Sequence, residues 1–291
     1  MLVPPDPLRT MLARVPPRPL NVQRLRSELP PVSSSDTALV ASVQLASLQN
    51  GHIIVPNSTR YALIEIGTSD RDTYDDGRLP SEPHAFLLAF EPLMDKYAVL
   101  LARGTTRQWK KVRDRTVPLG HHHARGIILP LAVSPNGGPV DFNVQRVAGC
   151  SSLARLNRHA WWAPWCHREL EKRVVPSITL ETAIGLIPPH LPIHTLKIDA
   201  QGVDFRLLRS APPALLRRRV GRIIMEVRGS HCAPLYEEQE PCEQVVAYMR
   251  SISFVNDTAC PQKTSAKWNR PNCEVSIIFN VRRQRWVKLG S

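Results

Sequence analysis

The sequence predicts an α/β fold carried by a mostly parallel sheet, on three grounds. Tyr61–Ile66 and Ala85–Phe90 are short, almost continuously apolar runs with carboxylates at their ends, Glu65 and Glu91, and His194–Asp199 repeats the pattern. Runs of this kind suit strands buried on both faces. The segments after them carry helix-start and turn signals: Gly67-Thr68-Ser69, Pro92 and Gln201-Gly202. Open α/β sheets bind ligands at the carboxyl ends of their strands. A glycine there admits close backbone approach, and an acid ending the next strand suits ribose hydroxyls. The strand ends therefore point to a nucleoside cofactor.

The elements follow in order. Met1–Ser35 is rich in proline and arginine, with Asp6 and Glu28 its only acids, and reads as a disordered or organelle-targeting leader. Ser35-Asp36 offers a cap for a helix over 37–50, striped by Leu39, Val40, Val43 and Leu48. A strand at 61–66 is followed by a polar, acidic, turn-rich stretch to His84, where any helix must be short or broken. A strand at 85–90 feeds a helix over Pro92–Ala102. Beyond a basic loop holding His121, His122 and His123, Gly126–Val133 reads as one buried strand. The turn Pro135–Pro139 then leads into a hairpin arm at 140–147.

A tryptophan- and cysteine-containing insertion spans 148–173, and strand character resumes at Val174–Leu180. A core strand at 194–199 leads into a helix interrupted by Pro212-Pro213, then a strand at Arg222–Glu226. Cys242–Arg250 has helical spacing, and Ile252–Val255 and Glu274–Val281 close the sheet as an antiparallel pair. No repeat and no linker appears after residue 36, so 36–291 reads as one domain.

Bulk composition narrows the function classes. Net charge is +13, but only eight of the 38 basic residues are lysine, and they are scattered. The densest run, Arg217–Arg219, falls at a helix end where cations are expected. Charge alone thus leaves nucleic acid a secondary candidate partner. No stretch has the roughly 18–20 apolar residues of a membrane span, and the N-terminus lacks a secretory apolar core. Compartment is left open. The six cysteines form no Cys-x-x-Cys pair, which disfavours a zinc ribbon. Cys150…Cys166 and Cys260…Cys273 bracket loop-like sequence and suit local bridges, with free thiols in a reducing compartment the alternative.

Four strand-end features stand in order: Glu65-Ile-Gly67, Phe90-Glu91-Pro92, Ala132-Val-Ser134 and Lys197-Ile-Asp199-Ala-Gln201-Gly202. Together with Thr68–Thr73, Tyr236–Cys242 and Ile277–Phe279, this order resembles the FkbM family of S-adenosylmethionine-dependent methyltransferases, in its eukaryotic branch. The likeness covers roughly residues 60–281. It implies a Rossmann-like three-layer sandwich with a seven-stranded, mostly parallel sheet and an antiparallel last strand. It also implies S-adenosyl-L-methionine as cofactor, held by Glu65, Gly67, Thr68, Glu91 and Asp199. Gly67 would lie against the methionine moiety, Glu65 would orient the first turn or the ammonium, and Glu91 would accept from both ribose hydroxyls. Asp199 is the candidate catalytic base, with the His121–His123 loop second. The acceptor would be a small-molecule or glycan hydroxyl. Gln201 stands where the family motif has glutamate, and an amide can neither carry charge nor act as a base.

A nucleic-acid methyltransferase and a non-catalytic binding protein on a decayed fold are the competing readings. A nicotinamide dehydrogenase is disfavoured because Gly67-Thr-Ser lacks the Gly-x-Gly-x-x-Gly cradle. Asp70, Asp72, Asp75, Asp76 and Gly77 miss the spacing of a calcium loop, so no metal is expected there. Trp161, Trp162 and Trp165 read as a satellite cluster pinning the insertion, or as a wall for a ring-shaped acceptor. Glu226, at a fifth strand end, either faces the acceptor or pairs with an arginine.

Overall fold

The structure, a computed structural model, describes residues 46, 48–69, 74, 78–102, 125–261 and 273–282. It divides into two units, Met1–Ile54 and Val55–Ser291. In the first, β1 (Leu48–Gln49) and β2 (His52–Ile53) pair antiparallel. Asn50 and Gly51, between them, have φ of 52° and 80°. Two consecutive positive φ values define the tight hairpin turn that Asn-Gly favours. Residues 48–49 are therefore strand rather than the end of a helix over 37–50; Leu39, Val40 and Val43 lie outside the described residues.

The second unit carries the main sheet. In chain order its elements begin with β3 (Tyr61–Ile66), β4 (Ala85–Phe90), α1 (Met94–Ala102), β5 (Gly126–Leu129), β6 (Ala132–Val133), β7 (Gly138–Gln145) and β8 (Glu169–Ile178). They continue with α2 (Leu180–Gly185), β9 (Ile193–Ile198), α3 (Asp204–Ser210), α4 (Pro213–Arg219) and β10 (Val220–Arg228). The last are α5 (Cys242–Ser251), β11 (Phe254–Asn256) and β12 (Glu274–Val281). Seven strands form one sheet in the order β11-β12-β10-β9-β3-β4-β5. The five from β10 to β5 are mutually parallel, and β12, last in sequence, runs antiparallel between β10 and β11. This is the mostly parallel α/β sheet that the apolar runs imply, in the seven-stranded Rossmann-like form that the resemblance implies.

The apolar runs fold this way because both faces are covered. Every residue of β4 is buried, as are the last five of β3. On one face Leu63, Leu87, Ala89 and Ile128 pack with Leu79 and with Leu100 of α1. Burying a side chain of this size is worth about 1.5–3 kcal/mol.

The run Gly126–Val133 is not one strand. It breaks at Pro130-Leu131: β5 ends the main sheet, while β6 joins a second, three-stranded sheet in the order β6-β8-β7. Proline cannot donate to a ladder, which accounts for the break. The segment expected as a strand over 174–180 is longer at its start, and it belongs to this second sheet. It stops at Thr179, whose hydroxyl accepts from Thr182 N at 3.1 Å and caps α2. Ala132, Phe142, Val144 and Val175 of the small sheet pack with Leu93, which follows β4, seating the sheet beside that strand's carboxyl end.

All six cysteines are paired: Cys150–Cys166, Cys232–Cys273 and Cys242–Cys260. The Cys150…Cys166 bridge matches the loop reading. Cys260 and Cys273 do not join each other, because each is drawn to the segment that follows β10. Among the described residues no helix is long and apolar enough to cross a membrane.

Candidate functional site

The sheet's connectivity fixes where a ligand can sit. From β3 the chain steps outward to β4 and β5, then returns to the other side of β3 at β9 and continues to β10. The loops after β3 and β9 thus leave neighbouring strands in opposite directions, and a crevice opens between them. A cavity of about 590 Å³ occupies this place. Its walls come from the ends of β3, β4 and β9, the start of α1, β6, and the rim of the insertion at Arg146–Leu153.

Gly67, Thr68, Glu91 and Asp199 all line this cavity. Gly67 has φ of +77°, and a Cβ there would lie 1.9 Å from the carbonyl oxygen of Asp199. The glycine is thus demanded by contact between two strand ends, before any ligand is considered. Its amide and that of Thr68 both donate to Phe90 O at 3.1 Å. Among the described residues the Thr68 hydroxyl, on the cavity wall, is buried without a hydrogen-bond partner. Buried polar groups rarely go unpaired, so this oxygen marks a place for a polar ligand atom.

Glu91 is 3% exposed. One carboxylate oxygen accepts from Ser69 N at 2.8 Å and the other from Leu93 N at 2.9 Å. Burial pushes its carboxyl above the usual range, against the Lys96 ammonium and the two amides, which pull it down. Each oxygen keeps a lone pair for a further donor.

Glu65 is not part of the cavity wall. Strand alternation turns it to the Leu63 side, where it is fully buried. Its carboxylate accepts from Lys197 Nζ at 3.0 Å and from Tyr74 N at 2.9 Å. Burial disfavours the Lys197 ammonium, but Glu65 and Asp199 outweigh it and hold its pKa above the ordinary lysine value. Lys197 itself lines the cavity, 3.8 Å from Asp199 Oδ2.

Asp199 is held from behind. Gln201 Nε2 donates to Asp199 Oδ1 at 2.7 Å, and Gln201 Oε1 accepts from the Tyr236 hydroxyl at 3.0 Å. Burial and neighbouring carboxylates push the Tyr236 phenol well above its usual pKa, so it stays a donor. Gln201 adopts φ of 55°, and its carbonyl accepts from Ser152 Oγ at 2.6 Å. The Tyr236 ring covers Gly202, where a Cβ would come within 2.3 Å of it. Below, Asp204 accepts from Ala200 N and Gly202 N at 3.1 and 2.9 Å. Burial and the Asp199 charge push the Asp204 carboxyl up to about 7, against those amides.

Lys96, Lys197, Asp204 and Tyr236 are the site residues that sequence reasoning missed. Lys197 stands inside the fourth motif and Asp204 begins the next helix, both visible signals. Tyr236 lies 35 residues from its partner, with no local signal. Glu226 and Glu274 lie away from the cavity; burial, then nearby carboxylates, push both above the usual range. None of Trp161, Trp162 and Trp165 lines the cavity. Trp162 Nε1 donates to Ala233 O at 2.8 Å, which pins the insertion, and Trp161 is 68% exposed. Arg219 donates to the carbonyls of Ile187, Pro188 and Leu191, a structural use for part of the densest basic run. His121–His123 and Asp70, Asp72, Asp75 and Asp76 lie outside the described residues. Among those described, the one grouping of metal-ligating side chains is His231 with Cys232 and Cys273, whose sulfurs are bonded to each other.

No protein-family model and no curated protein matches the chain. The antibiotic-resistance methyltransferase Kmr is similar in structure, with TM-score 0.36 and 11% identity over 77% of this chain and 89% of that one. Magnesium protoporphyrin IX methyltransferase from Synechocystis PCC 6803, solved with bound SAM, gives 0.33 and 9% over 78% and 72%. An antibiotic-related methyltransferase gives 0.32 and 8% over 81% and 99%. Overlaps this loose bring no function with them, and the site is read from its own residues.

Proposed function

We propose that the cavity binds S-adenosyl-L-methionine and that the protein is an O-methyltransferase of the FkbM kind, acting on a small-molecule or glycan hydroxyl. The observation that carries this reading is the meeting of Gly67, Thr68, Glu91 and Asp199, from three strand ends, on one cavity at the crevice between β3 and β9.

The donor set suits the group. Glu91 offers two oxygens oriented by backbone amides, an arrangement fitted to a pair of ribose hydroxyls. The Thr68 hydroxyl, without a partner among the described residues, would be available to a polar atom of the ligand. Leu131, Phe142 and Leu153 supply apolar wall for a purine. When bound, the cofactor supplies an electrophilic methyl group on a sulfonium.

The remaining work is positioning and proton removal. Asp199 keeps Oδ1 on Gln201 and presents Oδ2 to take the proton of an acceptor hydroxyl. Lys197, held by Glu65, stands 3.8 Å from that Oδ2 and fixes its surroundings. Glu65 thus acts through Lys197 and not on the ligand. Gln201 in place of glutamate avoids a further negative charge between Asp199 and Asp204, which favours an active enzyme over a decayed fold.

The three disulfides favour an oxidising compartment, and with it a small-molecule or glycan acceptor over nucleic acid. Calorimetric titration with S-adenosylmethionine and S-adenosylhomocysteine tests the reading. Binding by the wild type, weakened at least tenfold in Glu91→Ala with the fold retained, is the expected result. No heat from either ligand, or equal affinity in the variant, overturns it.

A further inference from the structure

The cavity lining includes a charge that the cofactor reading leaves unused. Three cations line the cavity: Lys96, Lys197 and Arg146. Lys197 is paired with Glu65. Lys96 donates to Ser69 Oγ at 3.3 Å and lies in the field of Glu91. Arg146 is exposed on the rim and has no carboxylate partner among the described residues.

Arg168 stands beside it. β7 and β8 pair antiparallel as far as Gln145 opposite Glu169, where the register shifts, and just beyond that end Arg146 N donates to Arg168 O at 2.8 Å. This bond brings the two backbones together, so both guanidinium groups spring from neighbouring points of the rim. Arg168 is also exposed and has no acidic partner among the described residues. Like charges so placed repel each other, and an anion between them removes the repulsion. The Cys150–Cys166 bridge ties together the segments that follow Arg146 and precede Arg168, so the pair sits on a fixed rim.

We propose that Arg146 and Arg168 bind an anionic group of the methyl acceptor, whose class is therefore a hydroxy acid: a small molecule or sugar acid that carries a carboxylate, sulfate or phosphate as well as the hydroxyl offered to Asp199. This rests on the methyltransferase reading. Arg146 and Asp199 line the same cavity, the one the acceptor would enter. The forked guanidinium suits such groups better than lysine does, because it donates two parallel hydrogen bonds.

The test compares D-glucuronate with D-glucose as probes, titrated into protein saturated with S-adenosylhomocysteine. Wild type is expected to bind glucuronate at least tenfold more tightly than glucose. The ratio should fall to within twofold in Arg146→Ala, lie between in Arg168→Ala and be partly kept in Arg146→Lys. Affinity for S-adenosylhomocysteine should stay unchanged in all three. Equal binding of the two sugars by wild type, no binding of either, or an unchanged ratio in Arg146→Ala overturns the proposal. A parallel loss of S-adenosylhomocysteine affinity also overturns it, since the arginines would then serve the cofactor's own carboxylate. If wild type binds no S-adenosylhomocysteine, the cofactor reading fails separately. The glucuronate-to-glucose ratio measured on the ligand-free protein then still decides for or against the arginine pair.

Discussion

Gln201 Nε2 lies 2.7 Å from Asp199 Oδ1, and this bond sets which carboxylate oxygen faces the cavity. The amide is oriented in turn by Tyr236, whose hydroxyl reaches Gln201 Oε1 at 3.0 Å and Cys150 O at 3.1 Å. One phenolic proton serves two acceptors, so removing it affects both the loop and the insertion.

Gln201→Glu should move the pH dependence of ligand binding. A carboxyl at 201 adds a third acid beside Asp199 and buried Asp204, and one of the three must then keep its proton. Affinity for S-adenosylhomocysteine measured from pH 6 to 9 should titrate in the variant at a higher pH than in wild type. Superimposable profiles would deny Gln201 its positioning role. Tyr236→Phe, which keeps the ring over Gly202, should cost about 1–2 kcal/mol of stability and weaken the same binding. Urea unfolding read beside calorimetry checks both effects.

Gly67→Ala should be among the most damaging single changes. Its methyl would overlap the Asp199 carbonyl at 1.9 Å, in a backbone conformation that disfavours side chains. A loss of about 3 kcal/mol or more is expected, or failure to fold. Gly185→Ala is the control: a Cβ there meets nothing within 4 Å, and the residue ends α2. It should be neutral or stabilise by up to about 1 kcal/mol. Denaturant midpoints distinguish the two.

Asp204 should make the protein less stable as pH rises. Its carboxyl titrates near 7 in the folded chain, against 3.8 for the ordinary group. Between those values the folded state holds the extra proton, so unfolding becomes easier with increasing pH. The cost of the ionised form is on the order of 4 kcal/mol above pH 7. Glu226 and Glu274, also raised, add to the same slope. Thermal unfolding from pH 4.5 to 8 should show the decline, and Asp204→Asn should flatten part of it. A slope unchanged by that substitution would remove Asp204 as its source.

Replacing Cys150 and Cys166 together by serine should lower stability by about 2–4 kcal/mol, as expected for a closed loop of this size. It should also weaken binding at the rim, because Gly149 and Ser151 line the cavity on either side of Cys150. Calorimetry on a variant still folded at 20 °C checks the second effect.

Strands were the legible part of this chain, because burial on both faces forces unbroken apolar runs such as Ala85–Phe90. Gly67, Thr68, Glu91 and Asp199 were legible as neighbours for a related reason: parallel strands bring their carboxyl ends to one edge. Glu65 was legible as a holder of the chain beyond the first turn, where Tyr74 N donates to it, while its bond to Lys197 had no sequence signal because the two sit on neighbouring strands. The split at Pro130 carried a visible signal, the missing amide. The Cys150–Cys166 bridge was legible from the loop it closes, but the other two pairings carried no signal, since only the fold brings Cys242 to Cys260. Tyr236 was equally hidden, its partner lying on a distant loop.

The segment bearing Tyr236 is fastened at both ends, at Cys232 to Cys273 and at Cys242 to Cys260. Production of this protein in a thiol-rich bacterial cytosol should therefore yield material whose strands assemble while Asp199 lacks its backing. Recombinant batches are best judged by titrating free thiols before any assay for turnover, since a silent preparation with six reactive sulfurs says nothing about the oxidised molecule.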